Sequence, residues 1–520
     1  MATPRNLAEL GADAIDRHGE RMSMVFQGEE ILNTTFFERS QRLQRAFTEM
    51  GMGKDTMMCL TMVNHPLVYS VFGGCFRSAT TVVPVMFQLT PPELRYIYGH
   101  TEAQVIITDT TLVDNVREAI KGLDHIKWIA IRGGETNEDA NPPEYSLESF
   151  LEYEPQPTIE SIDPHDLALM LYTSGTTGRP KGVMLTHDAL IQGVDSGMRA
   201  SCLDARNHPL VSLSALPMAH IYGVGVMNSS ARMPEHYPAG FAVQETWFDV
   251  VRFFELIDQY KITDMASVPT MIAMMIAHPD IDNYDLTSLE MVNCGAAPVP
   301  PEVADAFMER TGSRIRQLYG MTENAGMATA DRFDQPYRSG SAGKAYDITD
   351  LRIFDDDDNE LPSNTRGEIV TKGPSVMKGY FKAPEATEET IVNGWLHTGD
   401  IGYLDDDGWL YVVDRKKDMI IKGGENIFPA EVENVLYKHP EIDEAAVVGV
   451  PHDVYGEDIV AFVVLSEGSA LSDEEIIAFT IQSLSKFKAP SQIHFLDALP
   501  KSGVGKILRR ELRDQITAKE

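Results

Sequence analysis

Between two short apolar runs, Leu167–Leu171 and Val183–Leu185, the chain carries an unbroken block of small and hydroxyl residues, Thr173-Ser174-Gly175-Thr176-Thr177-Gly178, followed by Arg179-Pro180-Lys181-Gly182. That block confines the local fold. Gly175 and Gly178 admit backbone conformations closed to other residues, so successive N–H groups can line an anion-binding concavity, with the hydroxyls as further donors. Lys181 adds a mobile cation at the far end. Gly182 to Thr186 reads as a strand, so the loop joins strand to strand. A Walker loop is thereby excluded, because that motif sets its glycines further apart and ends in Gly-Lys-Ser/Thr opening a helix. A ligand-free polar hairpin has the same bare composition; the ordered Arg-Pro-Lys-Gly ending and the motifs downstream favour phosphate binding.

Alternation on either side of the loop sets the fold class. Thr35 is expected to cap a helix running to Gly51, ahead of a strand at Met57–Met62 and a helix at Val68–Phe76. A helix opened by Pro91 and Pro92, a strand at Gln104–Thr108 and a further helix–strand pair ending at Ile131 continue the pattern. Alternating units of this kind imply an α/β fold with a parallel sheet under helices. Gly133 to Pro157 is polar and Pro-rich, and reads as a surface connection. After the loop, strands at Val211–Leu216, Met265–Val268 and Glu290–Cys294 are expected with helices at Phe248–Tyr260 and Pro301–Thr311.

From Ile348 the texture changes. Leu351–Phe354, Gly367–Thr371, Gly402–Leu404 and Trp409–Val413 are short strands split by Asp/Asn/Gly turns, forecasting a small β-barrel-like subdomain at about 340–413. Asp355 to Asp358 reads as a solvated hairpin tip. A charged cluster, Asp414 to Asp418, then precedes α+β texture, with a helix opened by Pro429 and closed by Pro440 and a capping box at Ser472 and Glu475. The expected organisation is an N-terminal domain, 1–413, of two αβ sheet subdomains plus the β-barrel-like part, and a small C-terminal domain, 418–520.

Charge narrows the function. With 78 acidic against 44 basic residues and a net charge of −34, the chain lacks the basic surface that nucleic acid or anionic membrane requires. An anionic ligand must therefore be held by a few placed lysines and arginines. Cys59, Cys75, Cys202 and Cys294 form no CxxC pair and read as reduced, buried residues. The N-terminus lacks a signal-peptide apolar core, and no apolar run reaches the ~18 residues of a membrane span. A cytoplasmic enzyme without integral membrane association is expected, as a monomer or homodimer.

Further motifs follow in order: Pro217-Met218-Ala219-His220-Ile221-Tyr222-Gly223, Gly295-Ala296-Ala297-Pro298, Tyr319-Gly320-Met321-Thr322-Glu323, His397-Thr398-Gly399-Asp400, Asp414 to Glu433 and Pro500 to Lys506. Each alone has an ordinary structural explanation, as a packed tyrosine, a turn-stabilising Asp or a solvated tail. Together, spanning Thr173 to Lys506, they closely resemble the adenylate-forming superfamily of acyl-CoA synthetases, adenylation domains and firefly-type luciferases. Gly423-Gly424-Glu425-Asn426-Ile427-Phe428-Pro429 is most similar to the CoA ligases of fatty or aryl acids.

The resemblance implies activation of a carboxylic acid by ATP to an acyl-adenylate, then CoA thioester formation, with release of pyrophosphate and AMP. It implies that Thr173, Ser174, Gly175, Thr176, Thr177 and Gly178 hold the β and γ phosphates beside Lys181, and that His220 gates the acid. Gly295, Ala296, Ala297, Tyr319, Gly320 and Met321 would form the adenine side, and Thr322 would contact the α-phosphate. Glu323 would bind Mg²⁺, Asp400 and Arg415 would hold the ribose, and Lys506 would reach between carboxylate and α-phosphate. Lys417, in a hinge at 414–417, would let the C-terminal domain turn and bring Gly423 and Gly424 to the pantetheine of CoA. The alternative is an acyl-AMP ligase or adenylation enzyme that delivers its acyl group to a carrier protein.

Three departures from the family pattern stand out. Ala219 replaces a bulky residue before His220, which widens the acid entrance. Arg77-Ser78-Ala79 replaces Arg-Ala-Gly at a structural turn. Met227 to Trp247 lacks the usual Gly-rich strand, so the acid is not legible there. Met-rich stretches such as Met271–Ile276 suggest an adaptable apolar pocket for a medium-length fatty, aryl or alicyclic acid.

Overall fold

The structure is a computed structural model that describes residues 6–173, 179–203, 206, 208–238, 240–423, 425–452, 454–501 and 506–517. The elements that position the site are, in chain order, helix α1 (Pro66–Arg77), strands β1 (Leu167–Thr173), β2 (Lys181–Thr186) and β3 (Val211–Ser214), and helix α2 (Ile221–Ser229). Strands β4 (Phe241–Gln244), β5 (Asp264–Ser267), β6 (Met291–Cys294), β7 (Arg314–Tyr319), β8 (Trp395–Leu404) and β9 (Leu410–Arg415) complete the set.

Two large sheets carry the N-terminal part. In the eight-stranded sheet, Thr81–Pro84, Met57–Thr61, Val105–Asp109 and Trp128–Arg132 run parallel, and β1 and β2 form an antiparallel pair at one side. Every residue of Val105–Asp109 and Thr81–Pro84 is buried, as expected of strands covered on both faces by helices. The nine-stranded sheet sets β4, β3, β5, β6 and β7 side by side in parallel. Because β6 and β7 are adjacent and parallel, the loops that follow them leave the same edge of the sheet, where open α/β sheets bind ligands.

A five-stranded antiparallel sheet with β8 and β9 follows, then a second five-stranded sheet with helices Pro429–Leu436, Asp473–Ser483 and Arg509–Thr517. The mixed α/β architecture with a smaller α+β C-terminal unit agrees with the expectation from sequence. Ser472 and Glu475 form the expected capping box, and Asp356 to Asp358 lie exposed at a turn.

Several local readings differ. Thr35 lies inside its helix, which starts at Asn33 and has Leu32 at the cap without a side-chain bond. Asn33 Oδ1 instead accepts from the Arg21 and Thr34 N–H groups, which ties the helix start to the preceding hairpin. The connection 133–157 contains a short strand, Glu144–Ser146, and buries Leu147 and Phe150, because its few apolar residues reach the core under Trp128. The His397–Asp400 motif lies within β8. Met271, Ile272 and Met275 are packed in the core of the nine-stranded sheet, and Met274 is exposed. Cys59, Cys75 and Cys294 are buried and Cys202 half-buried, all as free thiols. Among the described residues no helix is long and apolar enough to cross a membrane.

One buried ion pair fixes the centre of the nine-stranded sheet. Arg206 donates through Nη1 and Nη2 to the two carboxylate oxygens of Asp264 at 2.8 and 2.6 Å, with both side chains almost fully enclosed. Asp264 opens β5, the neighbour of the strand that ends at Gly295. Removing one member strands the other charge out of water. Arg206→Ala is expected to cost about 3–5 kcal/mol in denaturant unfolding; a loss below ~1 kcal/mol would mean that the pair does not hold the sheet.

Candidate active site

The site is built where β7, β8 and β9 meet the crevice. Asp400 and Arg415 are direct register partners on the antiparallel strands β8 and β9. Arg415 Nε lies 3.0 Å from Asp400 Oδ1, and Tyr319 at the end of β7 donates its hydroxyl to Asp400 Oδ2 at 2.8 Å. The carboxylate is thus oriented from two sides while nearly excluded from water. Burial opposes the charge on Arg415, but Asp400, the Tyr319 hydroxyl, Asp418 and Glu323 outweigh it and hold the guanidinium pKa raised.

The turn after β7 sets the next group. A Cβ on Gly320 would stand 2.2 Å from the Gly326 carbonyl oxygen, so only glycine lets the two backbone segments approach. Asn324 Oδ1 accepts from Met321 N–H at 2.9 Å and closes a short 3₁₀ turn over Thr322–Asn324. Thr322 and Glu323 are buried on that turn. Tyr380 donates its hydroxyl to Glu323 Oε1 at 2.9 Å, and the Lys181 ammonium lies 4.8 Å from the centroid of the same ring. Burial raises the pKa of Glu323, opposed by its own backbone N–H and by Tyr380. Thr173 and Lys181 are the last paired residues at the loop end of the β1–β2 hairpin, so the strand-to-strand setting of the loop is correct. Ser174 to Gly178 lie outside the described residues.

On the opposite wall, β6 runs into Gly295, Ala296 and Ala297. Ala296 has a left-handed backbone, φ +71°, and a Cβ on Gly295 would come within 3.3 Å of the Tyr222 ring. Tyr222 donates to the Asn293 carbonyl at 2.6 Å, and its own N–H donates to His220 Nδ1 at 3.2 Å. His220 therefore has a fixed ring orientation at the start of α2. Burial, and then the charge of Lys506, push its pKa down to about 4, so the imidazole is neutral at pH 7.

Lys506 comes from the C-terminal unit. It precedes Ile507, which bridges back to Lys501, and Leu508 N–H donates to the Pro500 carbonyl at 2.9 Å. Burial lowers its pKa to about 8, Arg415 and Lys417 add to the depression, and Asp400 and Asp418 oppose it. Lys506, Asp400, Arg415 and His220 thus share one electrostatic environment across two sheets. Lys417 lies in the turn that separates β9 from the C-terminal sheet, where Lys416 N–H donates to the Gly399 carbonyl and Asp418 N–H to the Arg415 carbonyl. Gly423 is exposed, with φ +59° and its N–H bonded to the Tyr455 carbonyl. Gly424 lies outside the described residues.

The fold brings Lys181, Thr322 and Glu323 together through Tyr380, and gathers Tyr319, Arg415 and Lys506 around the buried carboxylate of Asp400. It leaves Gly423 on the surface. Tyr380 and Tyr222 were not singled out from sequence; Tyr380 stands in Gly379-Tyr380-Phe381, an aromatic pair with no motif to mark it.

Comparison with known proteins identifies the family. Residues 12–381 match the family model for AMP-binding enzymes, and residues 431–506 match that for the AMP-binding enzyme C-terminal domain. A feruloyl-CoA synthase of Amycolatopsis sp. is 35% identical over 484 residues, covering 92% of this chain and 93% of the relative. A long-chain-fatty-acid–CoA ligase of Bacillus subtilis is 32% identical over 538 residues, covering 99% and 95%. Among solved structures, ATP-bound MatB from Rhodopseudomonas palustris superposes with a TM-score of 0.87 at 26% identity over 98% of this chain and 99% of that one. A Mycobacterium tuberculosis fatty acyl CoA synthetase superposes at 0.76, with 28% identity and 99% of each chain covered. By these matches the chain belongs to the AMP-binding enzyme family, within the adenylate-forming superfamily of acyl-CoA synthetases.

Proposed function

We propose that the protein is an acid–CoA ligase that activates a carboxylic acid with ATP through an acyl-adenylate. The observation that carries this reading is Lys506: a half-buried ammonium from the C-terminal unit that shares the electrostatic environment of Asp400, Arg415 and His220. Relatives named as CoA ligases of fatty and aryl acids support it.

In the first half-reaction a carboxylate oxygen attacks the α-phosphorus of ATP and pyrophosphate leaves. Negative charge gathers on the phosphoryl oxygens, so fixed positive groups do most of the work. Asp400 accepts from the ribose hydroxyls and Arg415 keeps that carboxylate aimed. Tyr319 packs on the adenine face opposite Gly295, Ala296 and Ala297, with Gly320 and Met321 shaping the turn. Thr173, Ser174 to Gly178 and Lys181 hold the departing β and γ phosphates. Thr322 donates to the α-phosphate, and Lys506 sits between it and the acid as a point charge on a flexible stem. Neutral His220 lines the acid entrance without competing for that charge.

Among the described residues no cluster of three or more metal-ligating side chains occurs. A single buried carboxylate is what a nucleotide-borne Mg²⁺ uses, since that ion keeps water and phosphate ligands. Glu323 fits, held by Tyr380; the ion would supply charge neutralisation on the phosphates.

In the second half-reaction the CoA thiolate attacks the acyl carbon and AMP leaves. Lys506 occupies the approach, so the C-terminal unit must turn about Lys417 and present Gly423 and Gly424, where absent side chains leave room for pantetheine. Delivery to a carrier protein in place of CoA is distinguished by whether CoA accelerates AMP release.

Pyrophosphate release is expected to require both an acid and ATP, and AMP to appear with a CoA thioester when CoA is added. Lys506→Ala should lower adenylation ~10²–10³-fold while sparing thioester formation from supplied acyl-AMP; equal loss of both half-reactions would refute the divided role.

The pH dependence has a definite sign. Lys506 is charged below its lowered pKa of about 8, so kcat/KM for ATP in adenylation should fall as pH rises through that value. Lys506→Arg, which stays charged, should remove this limb; persistence of the limb would assign it to another group.

At the acid end, Glu323 has a raised pKa and its carboxylate is lost as pH falls. Tyr380→Phe removes a donor to the charged form, so the acidic limb of the Mg²⁺-dependent rate should move to higher pH. An unmoved limb would separate Glu323 from metal binding.

A further inference from the structure

Behind α2 lies a cavity of about 200 Å³ that none of the nucleotide-side residues lines. Its walls come from α1, the strands β3 and β4, the first helices of the chain, and the far half of α2. It meets the helix that carries Tyr222 at Val226, Met227 and Asn228. Tyr222, whose ring lies against Gly295, and Val226, which lines the cavity, are one turn apart on α2. Between them stands Gly225, where an added Cβ would meet no atom within 4 Å, so no side chain of the helix fills the space beside it.

The lining has a one-sided chemistry. Its body is apolar, from residues such as Met24, Phe72, Phe76 and Phe241. Its polar members include Arg21, Arg77, Ser212 and Asn228, and no Asp or Glu lines it, in a chain of net charge −34. That excess of donors does not follow from composition. Arg77 is already engaged, through Gln44 Oε1 and the Gln156 and Pro157 carbonyls. Asn228 is different. It is only 7% exposed, and its amide nitrogen has no hydrogen-bond partner among the described residues. A buried amide donor left unpaired is costly, and native proteins rarely keep one without a ligand or a use for it. Asn228 stands six residues beyond Tyr222 on α2, a rise of about 9 Å along the helix.

We propose that this cavity takes the distal end of the acid substrate, and that the acid carries a hydrogen-bond-accepting oxygen, of hydroxyl, ether or keto type, which Asn228 receives. The inference rests on the ligase reading and deepens it by naming a substrate class: an extended acid with an apolar body and an oxygenated far end. Asn228 is then a specificity-determining residue, since a site built to hydrogen-bond a substrate group discriminates against the analogue that lacks it. Ala242 on β4 lines the same space, and a large side chain there fills it.

The test uses the full-length enzyme and pyrophosphate release over pairs of acids of equal length, one with a plain alkyl tail and one with a hydroxyl, methoxy or keto oxygen at the far end. The wild type should prefer the oxygenated member by roughly tenfold or more in kcat/KM. Asn228→Leu, which keeps the branched shape and removes the amide, should abolish that preference. Ala242→Phe should lose the long acids and spare a short one such as propanoate, whose turnover also reports correct folding. Equal rates for both members of every pair in the wild type, or an Asn228→Leu enzyme that keeps the preference, would overturn the assignment of the oxygen. Long acids unaffected by Ala242→Phe would overturn the assignment of the cavity. Either result leaves the ligase reading intact, whereas no release with any acid would remove both.

Discussion

The carboxylate of Asp400, held between the Arg415 guanidinium and the Tyr319 hydroxyl, is the contact on which the remaining site depends. It joins the end of the parallel β7 to the antiparallel β8–β9 pair, and so ties the nine-stranded sheet to the sheet that leads into the C-terminal unit. The same pair sets the field in which Lys506 sits: Arg415 and Lys417 depress its pKa and Asp400 opposes them. A buried charge of this kind is costly to orphan. Any movement that withdraws Lys506 leaves Asp400 and Arg415 compensated by each other, which lets the C-terminal unit leave without stranding a charge. The pair is therefore compatible with two domain positions, whereas a direct Lys506–Asp400 pair alone would not be.

Much of this was legible in the sequence because the chemistry is concentrated in short motifs. The Gly/Ser/Thr block between apolar runs gave its hairpin setting directly, and β1 and β2 do pair across it. The fold class followed from alternation, since strands buried on both faces are written as continuous apolar runs. Lys506, Glu323 and Asp400 were identifiable as members of motifs. What local pattern could not supply was tertiary. Tyr380 reaches Glu323 from a strand that pairs with β2, far along the chain, and nothing near Gly379 signals that contact. Thr35 has the composition of a cap, yet the helix begins earlier because Asn33 bonds back to the hairpin. The Met-rich stretch at 271–276 reads as a pocket but faces the core, since both environments ask for the same apolar residues.

The acid site shows the same division. Its proposed reacting end is written in the motifs of Gly295, His220 and Lys506, whereas the cavity proposed for its far end is lined from α1, α2, β3, β4 and the first helices, which no single stretch encodes. Asn228 lies where resemblance to the family gives least guidance, in the tract from Met227 to Trp247. Its unpaired amide became visible only once burial and hydrogen bonds were known. In this reading the reaction type rests on placed charges, whereas the proposed substrate preference rests on a cavity in which no acidic side chain appears among the described residues.

The central claim is that an acid oxygen becomes bonded to the α-phosphorus of ATP in a site organised by Asp400, Arg415 and Lys506. Turnover of a carboxylic acid labelled with ¹⁸O in both carboxylate oxygens, with ATP and CoA, tests it by mass spectrometry of the products. The account predicts one labelled oxygen in AMP, because the bridging carboxylate oxygen leaves with the nucleotide when the thiolate takes the acyl group, and none in pyrophosphate. Unlabelled AMP, or label in pyrophosphate or inorganic phosphate, would contradict it.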